Sequence, residues 1–552
     1  MASTSVPSRP AAPGRPATPP AGRPGGPRDT PGARRARRPV PLIVASALVA
    51  ALLALPLVFL LLESSGAGTS VVSHLIFRRL TADLLWNTVR LTVAVTVLCA
   101  IIGTAAAWCV ERTNLPGRRI WEILVVVPLA IPDFVVSFGW ASLWNWFTGF
   151  RGAVVVMTLA VYPLVYLPVA ASFRAADPGQ EEVARSLGAG RVRTFFRITL
   201  AQARGAILGG CLLVAMVLLA EYGAFEILGY QTFTTEIFSE FSLSFSVPAA
   251  CALSLVLVAL SLLVLAGDGL ARGRGRVSRS GTLAARKLPP RRLGKATLPV
   301  LAGFALLVGL ALGMPIASSV YWILEGGAHA IGGVALPAAA LTTGGYGLAA
   351  GVLDTLLALP VAMLAIRHPS RIRLLLERTT YLVLAMPGVV AAFALSYFTQ
   401  HYANDFGYQT APLLVLCYAV MFFPLALVGV KASLARAPAS LDDMARSLGQ
   451  SRIQVLFRVT LRLAAPGLMA AFCLVFLSVV TELTATLLLI PTGAQTLSSQ
   501  FWAYESNLSY GQAAPFALVM IAIAAVPSYV LGRFFNRSSS STAASAEGMM
   551  IT

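Results

Sequence analysis

Two glutamates in this chain, Glu221 and Glu482, are 261 residues apart. Each lies about 16 residues, or roughly 24 Å at ~1.5 Å per residue, beyond the start of a long apolar run. If those runs cross a bilayer, both carboxylates lie near the outer mouth. There each is either a helix-end polar group or one of a pair that lines a pathway and favours a cation. Tyr222 adjoins Glu221, and phenolate and carboxylate oxygens suit a hard, highly charged ion. Such contact has to be transient, because a transported ion must leave. A second acidic pair, Glu182 and Asp443, has the same spacing and opens a repeated phrase. EVARSLGAGRVRTFFRITL at 182–200 and DMARSLGQSRIQVLFRVTL at 443–461 align without a gap.

Other reactive groups do not converge. His74, His329, His368 and His401 fall in different loops, so no metal site is expected. Cys99, Cys109, Cys211, Cys251, Cys417 and Cys473 all lie in apolar runs with no CxxC pair, and read as small packing residues. No G-x-x-x-x-G-K-[ST] occurs, so the chain has no phosphate-cradling loop of its own. It is expected to be non-catalytic and without a cofactor; if ATP drives it, another subunit binds the ATP.

The elements that position these residues follow from composition. Of 552 residues 57% are hydrophobic and 12% charged, against about a quarter charged in soluble proteins. An all-α, polytopic membrane protein is implied. Runs long enough to cross the hydrocarbon, roughly 20 residues each, occur near 40–62, 88–110, 121–147, 152–173, 205–225 and 247–266. The others occur near 298–323, 347–366, 379–399, 412–430, 466–490 and 514–534. These twelve spans divide into two tandem repeats of six, with one copy of the phrase in each.

A net charge of +19 would suggest nucleic acid in a soluble protein, but its distribution excludes that partner here. Arginines and lysines crowd alternate loops, including both copies of the phrase, whereas 221–246 holds four glutamates and no base. By the positive-inside rule both termini and both repeated loops are cytoplasmic. Arg78, Arg79 and Arg151 run against this pattern and are outnumbered. Residues 1–38 are rich in Pro, Gly, Ala and Arg and are expected to be disordered, as is the tail 537–552. The run after residue 38 is too long for a signal-peptide core and lacks a cleavage site, so it reads as an uncleaved first span. Two domains are expected, 39–271 with its loop at 175–204 and 298–536 with its loop at 434–465. A basic linker, 272–297, joins them.

Within each loop a short helix places Val183 and Leu187, or Met444 and Leu448, on one face. Gly188 or Gly449 then allows a tight turn at positive φ. A second short helix carries Val192, Phe195, Phe196 and Thr199, matched by Ile453, Leu456, Phe457 and Thr460. Two amphipathic helices at an angle make a knob. An interfacial helix on lipid is the bland alternative, but it leaves the in-register repetition unexplained. A partner met twice explains it.

The phrase resembles the EAA loop of permease subunits in binding-protein-dependent ABC importers, roughly E-A-A-x-x-L-G-A followed by F-x-x-I-x-L-P. Glu182, Ala184, Leu187, Gly188, Ala189, Phe195, Ile198 and Leu200 match the first copy. Asp443, Ala445, Leu448, Gly449, Leu456, Val459 and Leu461 match or nearly match the second. The closing Pro is replaced by Ala201 and Arg462, and the acid at 443 is one methylene shorter. The resemblance implies that each loop, with Phe457 on the second, seats in a groove of a cytoplasmic ABC ATPase. Two copies of that subunit, an extracytoplasmic substrate-binding protein and a bacterial cytoplasmic membrane are then expected partners and setting. Glu182 or Asp443 would pair with a basic residue at the groove's rim.

The stretches ERTNLPGRR (111–119), PLAIPDFVVSFGW (128–140), YPLVYLPVAASFRAADP (162–178) and EYGAFEILGYQTFTTEIF (221–238) look like the fused permeases of ferric-iron importers. AMPGVVAAFAL (385–395) and ELTATLLLIPTGAQTLSSQFW (482–502) do the same in the second half. Ferric iron is the substrate this implies; thiamine, polyamines and 2-aminoethylphosphonate are carried by similar architectures. A secondary transporter also duplicates six spans, but needs midmembrane ionisable residues, which are sparse here.

Overall fold

The computed structural model describes residues 40–66, 69–144, 146–176, 178–242, 244, 246–272, 291–327, 335–367, 383, 386–402, 407–435, 437 and 439–527. The tails expected to be disordered, 1–38 and 537–552, lie outside these residues, as do 273–290 of the linker. Residues 379–382, 384–385 and 528–534, parts of two expected spans, also lie outside them.

Apolar runs bounded by polar loops fold into ten helices long enough to cross a bilayer. They are Val40–Gly66, Arg79–Arg112, Gly149–Ala175, Val192–Ala220, Val247–Gly267, Gly294–Gly326, Ala335–Arg367, Ala411–Ala435, Ile453–Val480 and Tyr510–Pro527. The helix pair Arg118–Ala130 and Asp133–Ala141, bent by 91°, makes an eleventh. Among the described residues the expected twelve are therefore ten or eleven. The run near 121–147 does not cross unbroken, because Pro132 lacks an N–H and forces Ile131 out of the helical region, to φ −88°, ψ 129°. The run near 379–399 is described only as Gly388–Tyr402, which starts directly after Pro387 as Asp133–Ala141 starts after Pro132.

Small residues let the spans approach closely, as apolar helices in lipid require. A Cβ on Gly103 would sit 2.9 Å from the Tyr166 nitrogen, and one on Gly210 would sit 2.7 Å from the Val165 Cα. These two glycines join Arg79–Arg112 and Val192–Ala220 to the helix between them. In the second half Gly429 meets Ala471 in the same manner, at 2.8 Å.

Each half also lends spans to the other. Phe304, Ala311, Phe501 and Phe516 are buried in one core with Phe134, Phe138 and Val165 of the first half. Val49, Leu53, Ile237 and Leu253 are buried in the other with Val390, Phe423 and Val475 of the second. The Phe59 ring packs tilted against Tyr397 at 5.6 Å, and Trp121 against Phe304 at 5.5 Å. The two repeats are thus interlocked through their flanking helices. Four of the six cysteines are buried and two half-buried, and none is in a disulfide.

Candidate functional site

The repeated phrase begins on the short helices Pro178–Ser186 and Ala439–Ser447. Each ends on a glycine at φ +83°, Gly188 and Gly449. The turn is closed the same way twice. Gly188 N–H donates to the Arg185 carbonyl at 3.0 Å and Ala189 N–H to Ala184 at 2.9 Å. Gly449 donates to Arg446 at 3.0 Å and Gln450 to Ala445 at 3.1 Å. A left-handed residue after the last turn satisfies carbonyls that the helix leaves open, and glycine adopts it without strain.

The second helix of each knob is not a separate element. Arg191–Thr194 and Arg452–Val455 run through one π-helical turn, Phe195–Thr199 and Leu456–Thr460, into Leu200–Ala220 and Leu461–Val480. A π turn inserts an extra residue and rotates the face that follows, so the expected apolar stripe splits. Val192 and Phe196 are exposed, Phe195 turns inward onto the Trp108 ring at 5.6 Å, and Thr199 is buried. Ile453 and Phe457 are exposed and Thr460 is buried.

The outward surface of each knob is therefore Val183, Leu187, Val192 and Phe196, or Met444, Leu448, Ile453 and Phe457. Leu187 is 82% exposed and Leu448 84% exposed, so nothing among the described residues covers either side chain. Glu182 is exposed beside the first set, and Asp443 beside the second, paired with Arg446 at 2.6 Å. Ala184 is buried and Ala445 half-buried on the inner sides.

The acids that face inward are the neighbours, Glu181 and Asp442, which the sequence did not single out. Glu181 Oε1 accepts from Arg112 Nη2 at 2.5 Å and from Thr199 Oγ1 at 2.9 Å. Asp442 accepts from Arg367 Nη1 through Oδ2, and from Thr460 Oγ1 at 3.0 Å through Oδ1. Glu181 and Asp442 share the 261-residue spacing with Glu182 and Asp443. That spacing was the available signal; which of two adjacent carboxylates turns inward was not.

The other acidic pair occupies the breaks where Val192–Ala220 and Ile453–Val480 end. Glu221 Oε1 accepts from the Ala224 N–H at 2.8 Å, and Glu482 Oε1 from the Ala485 N–H at 3.0 Å. Each carboxylate thus caps the short helix after it, Gly223–Ile227 or Thr484–Leu489. The fold also brings the two together, within electrostatic reach of each other. Asp133, at the 91° bend, is within reach of Glu221 and was not anticipated. All three are half-buried. Gly388 holds the position matching Asp133; a Cβ there would collide with the Met421 methyl and sit 3.9 Å from Glu482 Oε1. The centre therefore carries three acids.

Tyr222 packs its ring beside them. It is 2% exposed, stacked on Phe238 at 4.3 Å with Trp502 at 5.8 Å. Among the described residues no three His, Cys, Asp or Glu side chains are placed to hold a metal ion together.

Residues 99–272 and 355–541 match the family model described as binding-protein-dependent transport system inner membrane component. The Fe(3+)-transport system permease protein FbpB 2 of Haemophilus influenzae is 35% identical over 487 residues, covering 87% of this chain and 96% of that one. The ferric transport system permease protein FbpB of Actinobacillus pleuropneumoniae is 23% identical over 79% of this chain and 69% of its own. The molybdenum transport system permease protein ModB of Escherichia coli is 30% identical over 25% of this chain and 69% of its own. With one matched segment in each interlocked half, this multi-pass chain belongs to the family of inner membrane components of binding-protein-dependent transport systems, and carries two such components in tandem.

Proposed function

We propose that this permease passes ferric iron, delivered from outside by a binding protein and driven by two cytoplasmic ABC ATPases that seat on the two knobs. The observation that carries the substrate is the 35% identity with a Fe(3+)-transport permease across 96% of that protein. The three acids at the centre agree in charge and in hardness with a trivalent cation. They disfavour molybdate, the oxyanion named for a relative that aligns with a quarter of this chain.

The ATPase reading rests on the paired apolar faces, each rimmed by an acid, on helices 261 residues apart. Filling a groove with Leu187 or Leu448 would bury most of a leucine side chain, about 1.5–3 kcal/mol each. The basic loops support a cytoplasmic side for these knobs and for both ends of the chain, by the positive-inside rule. The two permease domains are residues 39–271 and 298–536, joined by the linker 272–297. Thiamine, polyamines and 2-aminoethylphosphonate remain the competing cargoes to test.

Competition decides the substrate. In vesicles holding the whole complex with its binding protein, excess unlabelled ferric iron should abolish uptake of labelled iron, whereas thiamine, putrescine, 2-aminoethylphosphonate and molybdate should leave it unchanged. Failure to take up iron, with uptake of one of the others, would refute the assignment.

A further inference from the structure

We propose that Glu181 and Asp442 are positioning residues of the import cycle, each clasping its coupling helix to two spans so that movement of the knob is transmitted into the membrane. This rests on the reading that ATPases dock on the knobs.

The knob is joined to the spans by more than its own turn. Pro178–Ser186 reaches the following span through Gly188 and Gly190, and a Cβ on either would meet nothing within 4 Å. The Glu181 carboxylate bypasses this turn. Its Oε1 takes hydrogen bonds from Arg112, the last residue of Arg79–Arg112, and from Thr199, in the π turn that opens Leu200–Ala220. Three elements meet on one oxygen.

The clasp recurs in the second half with different residues. Asp442 holds Arg367, the last residue of Ala335–Arg367, and Thr460, in the matching π turn. An aspartate replaces the glutamate, yet the same three elements are joined. Solvent does not loosen either pair, since the Arg112 and Glu181 side chains are 12% and 8% exposed and those of Arg367 and Asp442 14% and 13%. Losing one member of such a pair leaves an uncompensated buried charge, so the connection resists opening. The π turns serve it too, by rotating Thr199 and Thr460 to the inside.

The clasped spans lead to the centre. Arg79–Arg112 packs on Leu200–Ala220, which ends at Glu221, and Ala335–Arg367 packs on Leu461–Val480, which ends before Glu482. The adjacent acids, Glu182 and Asp443, face outward. One carboxylate of each pair meets the ATPase and the other carries its movement inward.

The test is the ratio of ATP hydrolysed to substrate imported, measured on the full complex carrying Glu181→Gln with Asp442→Asn. These changes keep side-chain size and the acceptor for the threonines while removing the charge. The expected result is normal association with the ATPase, continued hydrolysis and a rise in ATP per substrate of roughly tenfold or more. Exchanging the charges, Arg112→Glu with Glu181→Arg, should lower the ratio again relative to Arg112→Glu alone. A purely structural role would reduce the amount or thermal stability of the complex and leave the ratio of the surviving complex unchanged; that result overturns the proposal. If the charge-neutral pair fails to accumulate, Thr199→Val with Thr460→Val keeps both ion pairs and decides instead: a raised ratio supports the clasp, an unchanged one refutes it. An unaltered chain that binds no ATPase would refute the docking reading, and this inference with it.

Discussion

Leu483 of the second half lies against Gly223 of the first so closely that a Cβ on the glycine would sit 2.6 Å from the Leu483 Cδ2 and 3.1 Å from the Phe134 Cβ. Gly223 follows Glu221 by two residues and Leu483 follows Glu482 directly. The contact is therefore where the two helix breaks and the bent helix meet. Gly223→Ala should destabilise the chain by about 1–3 kcal/mol, the usual effect of overpacking, and Leu483→Ala in the same chain should recover part of that loss. Thermal unfolding of the two single variants and the double variant in detergent checks it; additive losses would mean that the two residues do not share this contact.

The capping bonds at Glu221 and Glu482 refine what their substitution should do. Glutamine keeps an oxygen for the Ala224 or Ala485 N–H but removes the charge. Glu221→Gln with Glu482→Gln should therefore slow iron uptake with the complex intact, and each single change should slow it less. Leucine at either position should also lose the cap, a stability loss of about 1 kcal/mol. An unchanged uptake rate in the double glutamine variant would make these acids caps alone.

Leu187 and Leu448 have no partner within the described chain, so charging them should barely disturb it. Leu187→Asp with Leu448→Asp should shift stability by no more than about 0.5 kcal/mol, as for most surface changes, while abolishing co-purification with the ATPase. Retained association would remove the knobs from the docking surface.

Asp354 sits within Ala335–Arg367 at 0% exposure, and neither carboxyl oxygen is hydrogen bonded among the described residues. Cys99 holds the corresponding place in the first half, the same distance before Arg112 as Asp354 is before Arg367. An unsatisfied buried polar group costs about 1–3 kcal/mol. Asp354→Cys should accordingly raise the thermal stability and preserve uptake. Lost uptake in a stabilised variant would assign Asp354 a role in the pathway.

The family, the repeat and the glycine turns were legible in the sequence because each leaves a local mark: long apolar runs, an in-register phrase, and glycine where φ is positive. Other features leave none. The bend at Pro132 lies inside a stretch that is apolar on average, and composition alone reads through it. Glu181 and Glu182 are chemically alike, and only the roughly 100° turn between adjacent residues of a helix separates an inward acid from an outward one. The π turn at Phe195–Thr199 broke the assumption of regular helical spacing, which is why Phe195 and Thr199 were expected on the outer face. Asp133 was hidden by distance: 88 residues of chain separate it from Glu221, and only the fold brings the two within reach.

Nucleotide dependence of transport tests the assignment most directly. In sealed vesicles carrying the chain with its ATPases and binding protein, labelled ferric iron should accumulate only when all three components and hydrolysable ATP are present, and an ion gradient without ATP should give none. Accumulation by the chain alone on an ion gradient, indifferent to ATP, would make it a secondary transporter and contradict this account.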